Sequence, residues 1–118
     1  MKKIYHLSGC STCKRIIKDL NPGADFILQD IKTDKISEEQ LNQMAELSGS
    51  YESLFSRRAI KFKELNLKDK DVSEEEYKNL ILNEYTFLKR PVVIIGSQIF
   101  VGNSKEVVAS AIKELHSI

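Results

Sequence analysis

The sequence predicts an α/β fold: a mixed four-stranded sheet shared by a βαβ unit at the start of the chain and a ββα unit at its end, with a helical insert between them. Three observations lead there. Residues 3–29 read as a strand, a helix and a strand in turn. The middle of the chain carries helical signals. From Pro91 onward the pattern changes to two short apolar runs joined by Gly96-Ser97 and followed by an amphipathic helix.

Lys3 to Leu7 is a short β-rich run, and Cys13 to Leu20 follows with Ile16, Ile17 and Leu20 on one helical face. Asn21-Pro22-Gly23 is a stop-and-turn signal, after which Asp25 to Gln29 reads as the second strand. That spacing suits parallel strands joined by a crossover helix. Ser37 with Gln40 forms a capping box that opens a helix on Leu41, Met44 and Ala45, ended by Gly49. Tyr51 to Arg58 and Lys61 to Leu67 read as shorter helical pieces. Ser73 with Glu76 is a second capping box, for a helix that buries Tyr77, Leu80 and Ile81. Val92 to Ile95 is a buried-strand pattern, Gly96-Ser97 a hairpin turn that starts with glycine, and Gln98 to Val101 the returning strand. Asn103 or Ser104 caps the last helix, whose inner face is Val107, Val108, Ala111, Ile112 and Leu115. The expected organisation is one domain over residues 1–118, with its core in residues 1–35 and 88–118 and the insert in residues 36–87.

Lys and Arg number 18 against 17 Asp and Glu, a net charge of +1 that argues against direct nucleic-acid binding or attraction to an acidic membrane surface. Val92 to Ile95, the longest aliphatic run, is far too short to span a bilayer. Met1-Lys2-Lys3 leads straight into a strand, without the apolar stretch of a secretory signal. The expected location is the cytoplasm, where a Cys-x-x-Cys pair is catalytic, redox-sensing or metal-binding more often than a structural disulfide.

Cys10-Ser11-Thr12-Cys13 is that pair, and it holds both cysteines of the chain. It lies between a strand and a helix start, where unpaired backbone N–H groups and the positive end of the helix dipole favour thiolate over thiol. A thiol in such a place falls from about 8.5 to about 3.5–7.5. Cys10, before the helix, is the expected nucleophile. Cys13, one turn inside, is the expected resolving thiol, able to displace a product and close a disulfide. The alternative is two small buried hydrophobes. Zinc needs two more ligands, and neither His6 nor His116 has the spacing to supply them, so no metal is expected.

Arg90-Pro91 precedes the third strand, and a proline there accommodates either a cis or a trans peptide. In a βαβ–ββα sheet this strand starts beside the end of the first, which brings Arg90 to Cys10. A guanidinium there would stabilise a thiolate or a bound oxyanion. His6, four residues before Cys10, either tunes the thiol or is an ordinary strand residue. Arg57 and Arg58 either complement a helix end or fold over the cysteines. The run Lys68 to Glu76 reads as a solvated loop leading into a helix.

Taken in order, these residues resemble the ArsC/Spx family of thioredoxin-fold proteins over nearly the whole chain. The matching features are Ile4-Tyr5-His6, Cys10-Ser11-Thr12-Cys13-Lys14, Phe55-Ser56-Arg57-Arg58, Lys63-Glu64-Leu65, Leu88-Lys89-Arg90-Pro91-Val92-Val93 and Val101-Gly102. The resemblance implies a thioredoxin-like, glutaredoxin-like core with a helical insert, catalysis by Cys10 and a cis-proline at Pro91. It implies catalytic roles for Cys13, Arg90 and His6, and substrate binding by Ser11, Thr12, Arg58 and Pro91. Arsenate reductases of the family have one working cysteine, a histidine four residues before it and three arginines around the oxyanion. His6, Cys10 and Arg90 match that pattern. Ser56 and Asn103 stand where the other two arginines would be, and Arg58 aligns with the Thr-Arg arginine of uncharacterised thiol reductases and Spx-type regulators. Cys13 also matches the Spx type. Spx-type members, however, place a glycine where this chain has Ser50 next to Gly49, and run longer than Ile118.

The resemblance therefore implies a cytoplasmic thiol-dependent oxidoreductase that reduces a disulfide or an oxyanion. Its expected reductant is glutathione, another small thiol or glutaredoxin, with no tightly bound cofactor. The alternative is an Spx-type redox-sensing regulator that binds the C-terminal domain of the RNA polymerase α subunit.

Overall fold

A computed structural model describes residues 2–68 and 70–116. The chain forms two compact units, one of Met1–Lys35 with Arg90–Ile118, the other of Ile36–Lys89.

The first unit contains β1 (Lys2–His6), α1 (Ser11–Leu20), β2 (Ile27–Asp30), β3 (Val92–Ile95), β4 (Gln98–Val101) and α5 (Lys105–His116). Its sheet has the order β2-β1-β3-β4. β1 runs parallel to β2, with Ile4 opposite Leu28. It runs antiparallel to β3, with Ile4 opposite Val93. The βαβ crossover brings β1 and β2 together in parallel, and the short turn at Gly96-Ser97 makes β3 and β4 an antiparallel pair. Gly96 has φ 64°, a conformation that glycine enters without the penalty a Cβ would impose. Ile4, Ile16, Leu20, Phe26, Val93, Ile95 and Ala111 form the core of this unit, with Ile112 and Leu115 packed against it. α1 and α5 thus bury their apolar stripes on the sheet.

Three boundaries differ from the sequence expectation, the first being β1, which covers Lys2–His6 rather than Lys3 to Leu7. α1 begins at Ser11 rather than Cys13, with Cys10 as its N-cap. β2 begins at Ile27 because the N–H of Phe26 bonds to the Gly23 carbonyl at 3.2 Å, and that turn occupies the expected strand start. Of the two candidate caps for α5, the Ser104 hydroxyl takes the position, accepting from the Val107 N–H at 3.2 Å.

The second unit contains α2 (Glu38–Ser48), α3 (Ile60–Glu64) and α4 (Glu74–Asn83), with 3₁₀ turns at Glu52–Leu54 and Tyr85–Phe87. Both capping boxes form, Ser37 with Gln40 and Ser73 with Glu76. Gly49 ends α2 at φ 107°. Tyr51 to Arg58 is not the helical piece expected. Only Glu52–Leu54 is helical, because Phe55 pairs with Leu88 as an isolated bridge and Ser56 N–H bonds to the Phe87 carbonyl at 2.6 Å. Once those backbone groups are satisfied by an extended neighbour, nothing favours continuing the helix. α3 stops at Glu64, short of Leu67, as the chain turns through Asn66 at φ 53°. Tyr77 and Ile81 are buried on α4, whereas Leu80 is half-buried. Phe55 anchors the aromatic packing of this unit, stacked on Phe87 at 4.8 Å and tilted on Tyr77 at 4.9 Å.

Candidate active site

The site begins where β1 ends. The chain leaves His6 through Leu7, Ser8 and Gly9, and the Cys10 N–H closes this loop on the Leu7 carbonyl at 3.0 Å. Cys10 is extended, at φ −94° and ψ 115°, and its carbonyl accepts the first helical bond from Lys14 N–H at 3.1 Å. A serine or aspartate in this place would cap the helix with its side-chain oxygen. A neutral thiol is a weak acceptor and closes no regular cap bond here, although the N–H groups of Thr12 and Cys13 face the sulfur. The thiolate is what the orphan N–H groups favour.

The two thiols are accordingly split. Cys10 is held below the ordinary thiol range, first by the backbone N–H of Cys13. Partial burial opposes this, while the Cys13 side chain, the Thr12 N–H and the Arg90 charge lower it further. Cys13 is pushed up, first by burial, and then by donating to Cys10 and facing its charge; the Leu7 backbone and the Arg90 charge work the other way. Cys13 is 1% exposed, Cys10 is half-buried, and both are free. The pair titrates as one system in which the outer sulfur ionises first.

Arg90 reaches this pair because β3 starts where β1 ends. Tyr5 pairs with Val92, so His6 and then Leu7 lie level with Pro91 and Arg90. The Arg90-Pro91 peptide is cis. Pro91 is buried, and its carbonyl accepts from Gly102 N–H at 2.9 Å. The positive charge of Arg90 lowers the pKa of both cysteines.

The other candidates are placed differently. Ser11 is the exposed first residue of α1, and Thr12 is half-buried with its N–H directed at Cys10. His6 is half-buried and pairs across the sheet with Asp30, whose carboxyl feels its charge. Arg58 belongs to the second unit, in an exposed turn before α3. Arg57, in the same turn, binds Glu52 and the Tyr77 hydroxyl, each at 2.9 Å, which commits its guanidinium within that unit. Asp30 was not singled out by the sequence. Its carboxylate accepts from the Ser8 hydroxyl in the loop before Cys10, and this bond is the main cause holding it below the usual carboxylate range. An aspartate at the end of a strand is an ordinary turn signal, so nothing in the sequence marks it.

Among the described residues, no group of three or more His, Cys, Asp or Glu side chains is arranged to hold a metal ion. No described helix is long and apolar enough to cross a membrane.

Comparison with known proteins agrees with this geometry. The uncharacterized protein YusI of Bacillus subtilis is 31% identical over 102 residues, which cover 83% of this chain and 86% of YusI. The global transcriptional regulator Spx of Lactiplantibacillus plantarum is 26% identical over 105 residues, covering 87% of this chain and 80% of that protein. An arsenate reductase from Vibrio cholerae superposes with a TM-score of 0.79 at 23% identity, over 93% of this chain and 96% of the other, a likeness of fold. The architecture is therefore thioredoxin-like. With the model of the ArsC family matching residues 5–111, from the strand that leads to Cys10 to the helix that covers the sheet, the chain belongs to the ArsC family.

Proposed function

We propose that this chain is a thiol-dependent reductase in which Cys10 attacks and Cys13 resolves. The observation that carries the reading is the split between the two sulfurs: Cys10 is accessible and biased toward thiolate, Cys13 buried and biased toward thiol. With a disulfide substrate, the Cys10 thiolate forms a new S–S bond to one sulfur, and the other leaves as a thiolate that takes a proton from water. Cys13 then loses its proton and attacks the Cys10 sulfur. The second half of the substrate leaves, and a Cys10–Cys13 disulfide closes. Two equivalents of a small thiol such as glutathione, or one glutaredoxin dithiol, reduce that disulfide and return the enzyme. With an oxyanion, the Cys10 thiolate displaces one hydroxyl, which takes a proton from solvent and leaves as water. Cys13 again loses its proton and attacks the Cys10 sulfur. The bond from that sulfur to the central atom breaks with its two electrons staying on the central atom, and the Cys10–Cys13 disulfide closes.

Arg90 stabilises the thiolate and the anionic substrate, Ser11 and Thr12 present the start of α1 to it, and Pro91 lines the site just before β3. His6 acts as a proton carrier at the end of β1. The resemblance assigns Arg58 to substrate binding, and a raised KM in Arg58→Ala is the sign of that role. Such a reductase works in the cytoplasm, where thiol pools keep it charged.

The experiment is turnover on arsenate and on a mixed glutathione disulfide by wild type, Cys10→Ser and Cys13→Ser. Loss of all activity in Cys10→Ser, with a trapped mixed disulfide in Cys13→Ser, supports the reading; full activity in Cys10→Ser refutes it. The likeness to Spx, together with Cys13, favours a second reading as a redox-sensing regulator. Redox-dependent capture of the C-terminal domain of the RNA polymerase α subunit, without turnover on either substrate, would select that one.

A further inference from the structure

The loop that presents Cys10 has little to hold it. Ser8 and Gly9 are both exposed, and nothing lies within 4 Å of where a Cβ on Gly9 would be. The bond from Cys10 N–H to the Leu7 carbonyl closes the loop but leaves its tip in solvent. Two residues without packing, one of them glycine, would ordinarily sample many conformations. Each of these would carry the Cys10 sulfur away from the N–H groups of Thr12 and Cys13.

One side chain reaches that tip from β2. Asp30 Oδ2 accepts from the Ser8 hydroxyl, the Ser8 backbone N–H also bonds to the carboxylate, and Oδ1 accepts from the Lys32 N–H at 3.1 Å. The turn that Asp30 opens is itself anchored. Asp34 N–H bonds to the Asp30 carbonyl at 2.8 Å, Ile31 N–H to the His6 carbonyl at 2.9 Å, and the Gln29 amide to the Asp34 carbonyl at 2.9 Å. The carboxylate thus joins a well-anchored turn to the unpacked side of the Cys10 loop.

We propose that Asp30 is a positioning residue for Cys10, which tethers the Ser8–Gly9 loop so that the sulfur stays seated at the start of α1. The inference rests on the reading of Cys10 as an activated thiol. It also makes a demand that a purely electrostatic role would not. A carboxylate near a thiolate disfavours ionisation, so removing the charge alone should lower the Cys10 pKa. Removing the tether should raise it, because the sulfur loses donors for part of the time.

The test uses the full chain in a Cys13→Ser background, where a single thiol absorbs at 240 nm. Asp30→Ala should raise the Cys10 pKa by about half a unit or more, a roughly threefold loss of thiolate below the pKa, and Ser8→Ala, which keeps the Ser8 N–H, should raise it less. Asp30→Asn should not raise it, since its amide can donate to Ser8 while its oxygen still accepts from Lys32 N–H. Circular dichroism and thermal melting accompany each variant, and Ser8→Thr, which keeps the hydroxyl, should behave as the parent. An unchanged pKa in Asp30→Ala, or an equal fall in Asp30→Ala and Asp30→Asn, overturns the tether while leaving the activated thiol intact. A parent Cys10 that titrates near 8.5 overturns both.

Discussion

The hydrogen bond from Cys13 to Cys10 offers a direct measure of how the thiolate is held. Three donors lower the Cys10 pKa: the Cys13 N–H, the Cys13 side chain and the Thr12 N–H. Cys13→Ala removes only the side-chain donor; Cys13→Ser replaces it with a better one. A net hydrogen bond contributes about 0.5–1.5 kcal/mol, and one pKa unit corresponds to about 1.36 kcal/mol. A thiol is a weak donor, so its loss belongs at the low end of that range, and a hydroxyl in its place belongs higher. Cys10 should therefore titrate at least about half a unit lower in Cys13→Ser than in Cys13→Ala. Both variants have one thiol, so absorbance at 240 nm as a function of pH reads Cys10 without the coupling that complicates the wild type. The rate of carboxymethylation by iodoacetamide gives an independent curve. Equal pKa values in the two variants, or a higher one in Cys13→Ser, would show that the inner side chain does not support the outer sulfur.

Arg90→Ala should raise the pKa of Cys10, because its charge favours the ionised sulfur; iodoacetamide rates against pH provide the check, and an unmoved curve would place the guanidinium's effect elsewhere. Stability should respond to the two cysteines with opposite signs. A depressed folded pKa at Cys10 contributes stability that is complete above the unfolded value near 8.5 and is lost as pH falls through the folded pKa. A raised folded pKa at Cys13 contributes stability that is complete below that unfolded value and is lost as pH rises through the folded pKa. The unfolding free energy of the reduced protein, from urea titrations, should therefore rise between pH 6 and 8.5 relative to Cys10→Ser, by about 1 kcal/mol or less given the solvent access of Cys10. A flat difference would mean that Cys10 titrates alike in the folded and unfolded chain.

Local patterns were legible where one residue's chemistry decides the structure. The two capping boxes, Ser37 with Gln40 and Ser73 with Glu76, form as read, because both partners lie within one turn. The turn at Gly96 is equally local. The approach of Arg90 to Cys10 is not, yet it follows from strand order alone, since an antiparallel β3 beside β1 must start where β1 ends. Tyr51 to Arg58 was misread because its conformation is decided by Leu88, over thirty positions away, whose backbone takes Phe55 into a bridge. Asp30 was missed for the same reason. Its importance lies in a contact with Ser8 across the sheet, and no periodicity encodes a side chain reaching from the end of one strand to the loop after another.

The burial of Cys13 also bears on whether the pair serves turnover or sensing. In the proposed reaction the first step needs Cys10 as thiolate and should become independent of pH above its depressed pKa. The second needs Cys13 to ionise, and Cys13 is raised chiefly by burial. Once Cys10 is tied up in a mixed disulfide, its charge and its hydrogen bond no longer act on Cys13. The burial remains, offset in part by the Leu7 backbone and the Arg90 charge. Resolution should then be the slower step at neutral pH and accelerate close to tenfold per pH unit, because the attacking thiolate fraction grows in that proportion below its pKa. Rapid acid quenching with mass spectrometry separates the two steps, since the mixed disulfide carries the mass of the substrate fragment and the closed pair does not. A long-lived mixed disulfide at pH 7 that collapses quickly at pH 9 fits a buried resolving thiol. A resolution rate that ignores pH would mean that Cys13 leaves its buried place or ionises as readily as an exposed thiol, and the division of labour between the two sulfurs would be wrong.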